Sequence, residues 1–219
     1  MSSKRVVVRN RGILNCCFRT RFGSISPHAR TREIRRMDQS SPRFQSAVAN
    51  SNALSEYIID DLRNESPKAI RALTDSGHLV SLKNASISTR VAVRNIDVVL
   101  YEHDKLPIIS AQMAVEHKTV MTAHGKARLN RYGDIIAYCN HMHNHRSDCV
   151  VGATVVINTS ETYENPDAFA RGLERPKFKM AKVVKDTVQV FERIPLRETP
   201  DESNDSPEAL TIIVINYDR

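Results

Sequence analysis

The chain has 219 residues, with 32 Lys and Arg against 25 Asp and Glu, no Trp and few aromatic residues. This length suits one sizeable α/β domain with tails, and the longest apolar runs are far too short to cross a membrane. The net charge of +7 lies at the N-terminus, because residues 1–50 hold 11 Lys/Arg against 2 Asp/Glu. We therefore divide the chain into a basic, flexible N-terminal arm over residues 1–44 and a single domain over residues 45–219.

The basic arm favours a nucleic acid or another anionic surface as partner. A soluble or processed leader is the alternative for the same composition, since the arm is rich in Arg and Ser and poor in acids. The four cysteines show no spacing typical of a disulfide framework. We expect reduced thiols and an intracellular protein without a membrane association.

In chain order, the first elements are predicted from apolar spacing and turn residues. Leu54, Ile58 and Leu62 recur every four residues and predict a helix over residues 45–63. Ser66 and Pro67 then have the chemistry of a helix start, with Ser66 as N-cap of a short second helix. Strand segments follow over residues 79–82 and 87–93, and they lead into a hairpin.

The second half of the chain alternates helices and strands. A helix over residues 123–143 carries an apolar stripe that includes Leu129, and residues 150–157 form a continuous apolar run typical of a strand buried on both faces. A further helix over residues 178–193, a polar loop over 195–208 and a last strand over 210–216 complete the chain. This order predicts a mixed sheet with an antiparallel hairpin, parallel crossovers and helices on both faces.

The hairpin over residues 95–118 brings three charged side chains together. Its tip at residues 104–107 has turn chemistry, and folding about Leu106 and Pro107 pairs residue n with residue 213 − n. Asp97 then lies opposite Glu116, about 5 Å away, and Lys118 shares the face of Glu116. A loop one residue longer or shorter would place Asp97 on the other face, so the register tests the prediction.

Two facing carboxylates repel each other unless a cation lies between them. Mg²⁺ suits such a site because it takes oxygen ligands and retains several waters. A lysine beside the carboxylates is suited to hold a water or to stabilise charge on a phosphate, and together these groups favour hydrolysis of a phosphodiester. The alternative is an ordinary cross-strand charge cluster, at about 0.2–1 kcal/mol per pair.

Asp97, then Glu116-His117-Lys118 at the end of the next strand, then a basic helix resembles the PD-(D/E)xK nuclease superfamily of restriction-endonuclease-like enzymes. The resemblance covers about residues 45–157 and implies an α/β, restriction-endonuclease-like mixed central sheet with an antiparallel hairpin and flanking helices. It implies that Asp97 and Glu116 bind the metal, that Lys118 positions the water, and that Glu56 on the first helix joins the site. Ile96 stands where the family often has Pro, and His117 where it usually has an apolar residue.

The resemblance further implies an Mg²⁺-dependent endonuclease, with Mn²⁺ as a possible substitute, that acts on double-stranded DNA and leaves a 5′-phosphate and a 3′-hydroxyl. A type II restriction enzyme working as a homodimer is the most specific form of this expectation. A repair or mobile-element nuclease of the same fold is the alternative.

Polar residues around the hairpin are candidates for contacts with DNA. The helix that follows begins with basic and amide side chains suited to phosphates, and Gln112 on the site face of the hairpin is suited to orient water or substrate. A solvated helix face and a polar sheet surface are the alternatives. The helix residues are Lys126, Arg128, Asn130 and Arg131.

A second cluster of side chains has the chemistry of zinc ligands but not the spacing of a known zinc finger. It consists of Cys139, His141, His143 and Cys149. Buried thiols and histidines at a helix C-terminus explain the same residues without a metal. With the basic arm, a structural zinc site would instead make the chain a non-catalytic nucleic-acid-binding protein.

Overall fold

The computed structural model describes residues 7–11, 47–89, 91–105, 110–160 and 180–216. In chain order the elements are β1 (Val7–Arg11), α1 (Ala47–Glu65), α2 (Lys68–Asp75), β2 (Leu79–Ser88), β3 (Val93–Glu102), β4 (Ala111–Val120), α3 (His124–His145), β5 (Val150–Asn158), α4 (Met180–Glu192) and β6 (Ala209–Ile215). Strands β2 to β6 form a mixed sheet and β1 adds a short strand, in the order β1-β6-β5-β4-β3-β2. The α/β class is therefore confirmed.

The strand directions follow from the connections. β2, β3 and β4 form antiparallel neighbours joined by short turns. β4, β5 and β6 are parallel, with α3 between β4 and β5 and α4 between β5 and β6. Parallel neighbours need such a crossover because both strands start at the same end of the sheet, and the chain must return to that end before the second strand begins. The predicted hairpin and crossovers are both present.

Each face of the sheet packs against a pair of helices. On one face, α3 and α4 contribute Ile135, Met142 and Phe191 to the larger core cluster. On the other, α1 contributes Ile59 to a smaller cluster with β3 and β4, and Leu73 of α2 packs against it. β5 is buried along almost its whole length, which explains its nearly uninterrupted apolar sequence.

The loop between α4 and β6 is fixed by a buried ionic network. Arg197 is 1% exposed, and its Nη1 donates to the Ser147 carbonyl at 3.0 Å and to Glu208 at 3.3 Å. Glu208 also accepts from the Val151 N–H at 2.7 Å, and His143 Nε2 lies 3.2 Å from the same carboxylate. The network therefore ties the loop to the end of α3 and the start of β5.

Local predictions were wrong in two places. Leu129 is 61% exposed, because the buried side of α3 is centred on Ile135, Tyr138 and Met142 instead. Pro67 rather than Ser66 occupies the N-cap of α2, and Ser66 is buried.

β1 lies within the arm predicted to be flexible, where it pairs with β6. Within the described residues, no helix is long and apolar enough to cross a membrane.

Candidate active site

The predicted register of the hairpin is confirmed by the three rungs next to the site. Val98 pairs with Val115, Val99 with Ala114 and Leu100 with Met113, so each residue n faces residue 213 − n. The β3–β4 ladder ends at Val98, so the predicted pairing of Asp97 with Glu116 is not part of it. The tip residues 106–109 lie outside the described residues.

The pairing of β3 with β2, on its other side, is also irregular at Asp97. The β2–β3 ladder runs on both sides of Asn84 and Asp97 but omits this pair, and Asn84 has the left-handed φ of 52°. Ile96 and Val99 are three residues apart and yet pack in the same core cluster. The alternation of side chains along β3 therefore shifts at Asp97, and the strand is distorted where the carboxylate lies.

The Asp97 carboxylate is held from two sides. The Ser51 hydroxyl of α1 donates to one oxygen, and the His117 backbone N–H donates to the other at 2.7 Å. The Ser55 hydroxyl lies 3.3 Å from the Asp97 carbonyl. Ser51 and Ser55 are site residues that the sequence-based prediction missed. The sequence offered only their spacing of one helix turn, which does not distinguish them from other helix serines.

Glu116 is buried, with 7% exposure, and its two oxygens have different surroundings. Oε1 accepts from the Lys118 ammonium, while Oε2 has no partner among the described residues. Burial raises the pKa of Glu116, the nearby Lys118 partly offsets this, and the charge of Asp97 raises it further. An unpaired buried carboxylate oxygen is costly, so this arrangement is typical of a group retained for function.

Two neighbours of the carboxylates are also buried without hydrogen-bond partners among the described residues. The Tyr138 hydroxyl on α3 is one, and burial followed by the charge of Glu116 raises the pKa of this tyrosine. Both ring nitrogens of His117 are the other, and burial lowers the pKa of His117. The site is therefore enclosed by polar groups that the protein itself leaves unsatisfied.

Comparisons of the chain with protein-family models, curated proteins and solved structures found no match. The function is therefore inferred from the arrangement of Asp97, Glu116 and Lys118.

Asp97 and Glu116 are the predicted ligands of a divalent ion. Glu116 Oε2 is an acceptor without a partner among the described residues, and the charge of Asp97 acts on Glu116. Mg²⁺ is commonly bound by one or two carboxylates, with waters or substrate phosphates completing the coordination. Within the described ranges, no group of three His, Cys, Asp or Glu side chains has the arrangement of a metal site. Asp97 and Glu116 are two carboxylates and do not form such a group of three.

Two residues predicted for the site have other contacts. Glu56 pairs with Lys83 at 2.9 Å on the surface, so α1 meets Asp97 through Ser51. Gln112 donates to Glu102 at 2.5 Å, towards the other end of β4. The register shifts after Leu100, where Gln112 is the extra residue of a bulge, and the predicted position of Gln112 on the site face was wrong for that reason.

The residues predicted to contact DNA lie along the first half of α3. Lys126 and Asn130 are exposed. Arg131 donates to the Thr119 carbonyl at 3.4 Å and to Asp134 at 2.8 Å, which places it one residue beyond Lys118 on β4. Arg128 has a buried Nε without a partner among the described residues. Of these residues, Arg131 is the one that contacts β4, at Thr119.

The residues considered for zinc are spread over different surroundings. Cys139 and Cys149 are buried thiols in the larger core cluster, and burial raises the pKa of both. His143 contacts Glu208 in the ionic network, while the Nδ1 of His141 accepts from Arg94 at 2.9 Å. These contacts account for all four side chains without a metal.

Proposed function

We propose that this protein is an Mg²⁺-dependent endodeoxyribonuclease of the restriction-endonuclease-like class. The observation that carries the proposal is the buried Glu116–Lys118 pair near the charge of Asp97, with one Glu116 oxygen unpaired among the described residues. The antiparallel pair β3–β4, the helix α3 and the parallel strand β5 follow the order that the resemblance to PD-(D/E)xK nucleases implies.

Each residue has a distinct part in the proposed hydrolysis. Asp97 and Glu116 would hold the cation, and Ser51 and the His117 N–H keep the Asp97 carboxylate in place. Lys118 donates to the attacking water or to the phosphate oxygen on which charge develops. When bound, Mg²⁺ lowers the pKa of a water and neutralises charge at the phosphorus.

A simple charge cluster is the competing interpretation, and burial argues against it. Surface ion pairs contribute about 0–1 kcal/mol because water screens them. The side chains of Lys118 and Glu116 are only 17% and 9% exposed. Placing two acids and a lysine in such a position costs desolvation energy, and binding of a cation and a phosphate gives a reason for the cost.

The proposal is tested by incubating supercoiled and linear duplex DNA with the full chain in Mg²⁺, in Mn²⁺ and in EDTA. We expect cleavage with either metal ion and none in EDTA. Asp97→Asn should abolish cleavage, whereas Asp75→Asn, an exposed acid on α2, should leave it unchanged. If wild-type protein leaves a broad panel of duplex substrates intact, or if Asp97→Asn cleaves as well as wild type, the proposal is wrong.

The same assay distinguishes the two biological roles. Discrete fragments from a long duplex would favour a type II restriction enzyme, and sedimentation of the protein on its cognate duplex should then give a homodimer. Random nicks would favour a repair or mobile-element nuclease. End-labelling of the products should find 5′-phosphates in either case.

A further inference from the structure

An arginine on β3 lies beside the candidate active site without a carboxylate partner. Arg94 is half-buried, three residues before Asp97, and its Nε donates to His141 Nδ1 of α3 at 2.9 Å. Among the described residues, no other hydrogen bond or ion pair involves its guanidinium. Both terminal nitrogens of Arg94 are therefore available as donors.

The location of Arg94 is fixed by its neighbours. It is on the side of β3 that faces α3, as shown by the contact with His141. Its charge also acts on Glu116, where it favours the carboxylate form. The cation is thus close enough to influence the candidate metal ligand, while Lys118 rather than Arg94 pairs with Glu116.

The free edge of the guanidinium matches an anion with two oxygens. Arginine binds phosphate through parallel N–H donors, and the fixed plane of the group makes this contact directional. An arginine whose Nε is already held loses less conformational freedom on binding. His141 supplies that restraint, and it does so only as the tautomer whose Nδ1 carries no proton.

We propose that Arg94 binds a backbone phosphate of the DNA next to the scissile bond, with His141 as its positioning residue. This inference rests on the proposed nuclease function for its substrate. It adds a contact outside the Asp97–Glu116–Lys118 group, on the β2–β3 side of the site. The contact is to the backbone and carries no base specificity.

The test measures binding separately from cleavage. Fluorescence anisotropy with a labelled duplex in EDTA, over a range of salt concentrations, compares wild type with Arg94→Met, Arg94→Lys, His141→Ala and His141→Asn. Arg71→Met is the matched control, since Arg71 is an exposed arginine on α2. Thermal unfolding of each variant confirms that it is folded at the assay temperature.

We expect Arg94→Met to weaken binding about ten-fold and to lower the slope of log K against log salt by about 1. Arg94→Lys keeps the charge and should bind between wild type and Arg94→Met. His141→Ala should also weaken binding, and His141→Asn should restore it, because its Oδ1 replaces Nδ1 as acceptor. Arg71→Met should change neither affinity nor slope.

The outcomes separate this inference from the function it rests on. If Arg94→Met binds DNA like wild type with an unchanged slope, or if wild type does not bind duplex DNA, the Arg94 contact is wrong. If Arg94→Met weakens binding but wild type never cleaves, the phosphate contact holds and the nuclease proposal fails. Equal losses in His141→Asn and His141→Ala would overturn the positioning role of His141.

Discussion

Replacing Glu116 by Gln should remove activity and yet stabilise the protein. In the folded state burial disfavours the Glu116 carboxylate more than Lys118 favours it, which is why the pKa of Glu116 is raised. The substitution removes the charge and keeps an oxygen that accepts from Lys118. An unsatisfied buried polar group costs about 1–3 kcal/mol and a charged one costs more; the amide keeps the first cost and removes the extra cost of the charge, and loss of the attraction between Glu116 and Lys118 opposes this gain. We expect a net gain of about 1 kcal/mol, or about 2–4 °C in Tm for a chain of this size.

The sign of the pH dependence follows from the raised pKa. In the unfolded chain Glu116 titrates near its ordinary value of 4.5, and in the folded protein it titrates at higher pH. Between these two values the folded state binds more protons, so wild-type stability falls as pH rises. The Tm advantage of Glu116→Gln should therefore be largest above the folded pKa and should disappear as pH falls towards 4.5.

Differential scanning calorimetry of both proteins between pH 4.5 and 8.5, with and without Mg²⁺, measures these effects. Mg²⁺ should raise the Tm of wild type, because a ligand that binds only the folded state stabilises it. It should not raise the Tm of Glu116→Gln. If Glu116→Gln is less stable than wild type at pH 8, the argument that the buried charge is the dominant cost is refuted. The same holds if the Tm of Glu116→Gln falls further below that of wild type as pH rises.

Four further substitutions test other parts of the structure. Lys118→Met should lower single-turnover cleavage by about 100-fold or more while DNA affinity changes little, since loss of a group that assists proton transfer typically costs 10²–10⁴; a large loss of affinity would contradict this. Ser51→Ala should lower cleavage about ten-fold by releasing Asp97, whereas Glu56→Gln, which breaks only an exposed pair, should change it less than three-fold. Equal effects of these two would contradict the geometry of α1. Glu208→Gln should destabilise the protein by about 3 kcal/mol in urea unfolding, because Arg197 is left buried without its carboxylate; a loss below about 0.5 kcal/mol would show that the network is redundant.

The register of the hairpin was predicted correctly for the rungs from Val98 to Leu100, where the alternation of apolar side chains fixes it. The turn alone does not set this register, because Tyr101 pairs with Ala111 and the bulge at Gln112 lies between the turn and those rungs. The bulge at Gln112 and the break at Asn84 could not be predicted, since both depend on how distant segments meet. Asn84, for example, donates to Asn52 of α1 at 3.0 Å.

The charged residues of the candidate site came from the sequence, and the residues that support them came from the structure. Asp97, Glu116 and Lys118 stand out in sequence because acids and a lysine at strand spacing are chemically conspicuous. Ser51 resembles many other helix serines, and only the folded structure reveals that its hydroxyl meets a carboxylate 46 residues away. The role proposed for Arg94 could not be predicted from the sequence either, because it depends on the contact with His141 on α3.

The left-handed residue in β2 has a consequence for how the molecule behaves in crowded solution. Among the described residues β2 is the last strand of the sheet order, and such a strand offers its backbone to any other extended chain. Asn84 interrupts that row of donors and acceptors near its middle, and the charged Lys83 stands next to it. The distortion found beside Asp97 therefore also makes this edge a poor template for the strand of a second molecule, so the geometry that shapes the site helps to keep the protein from aggregating through the β2 edge.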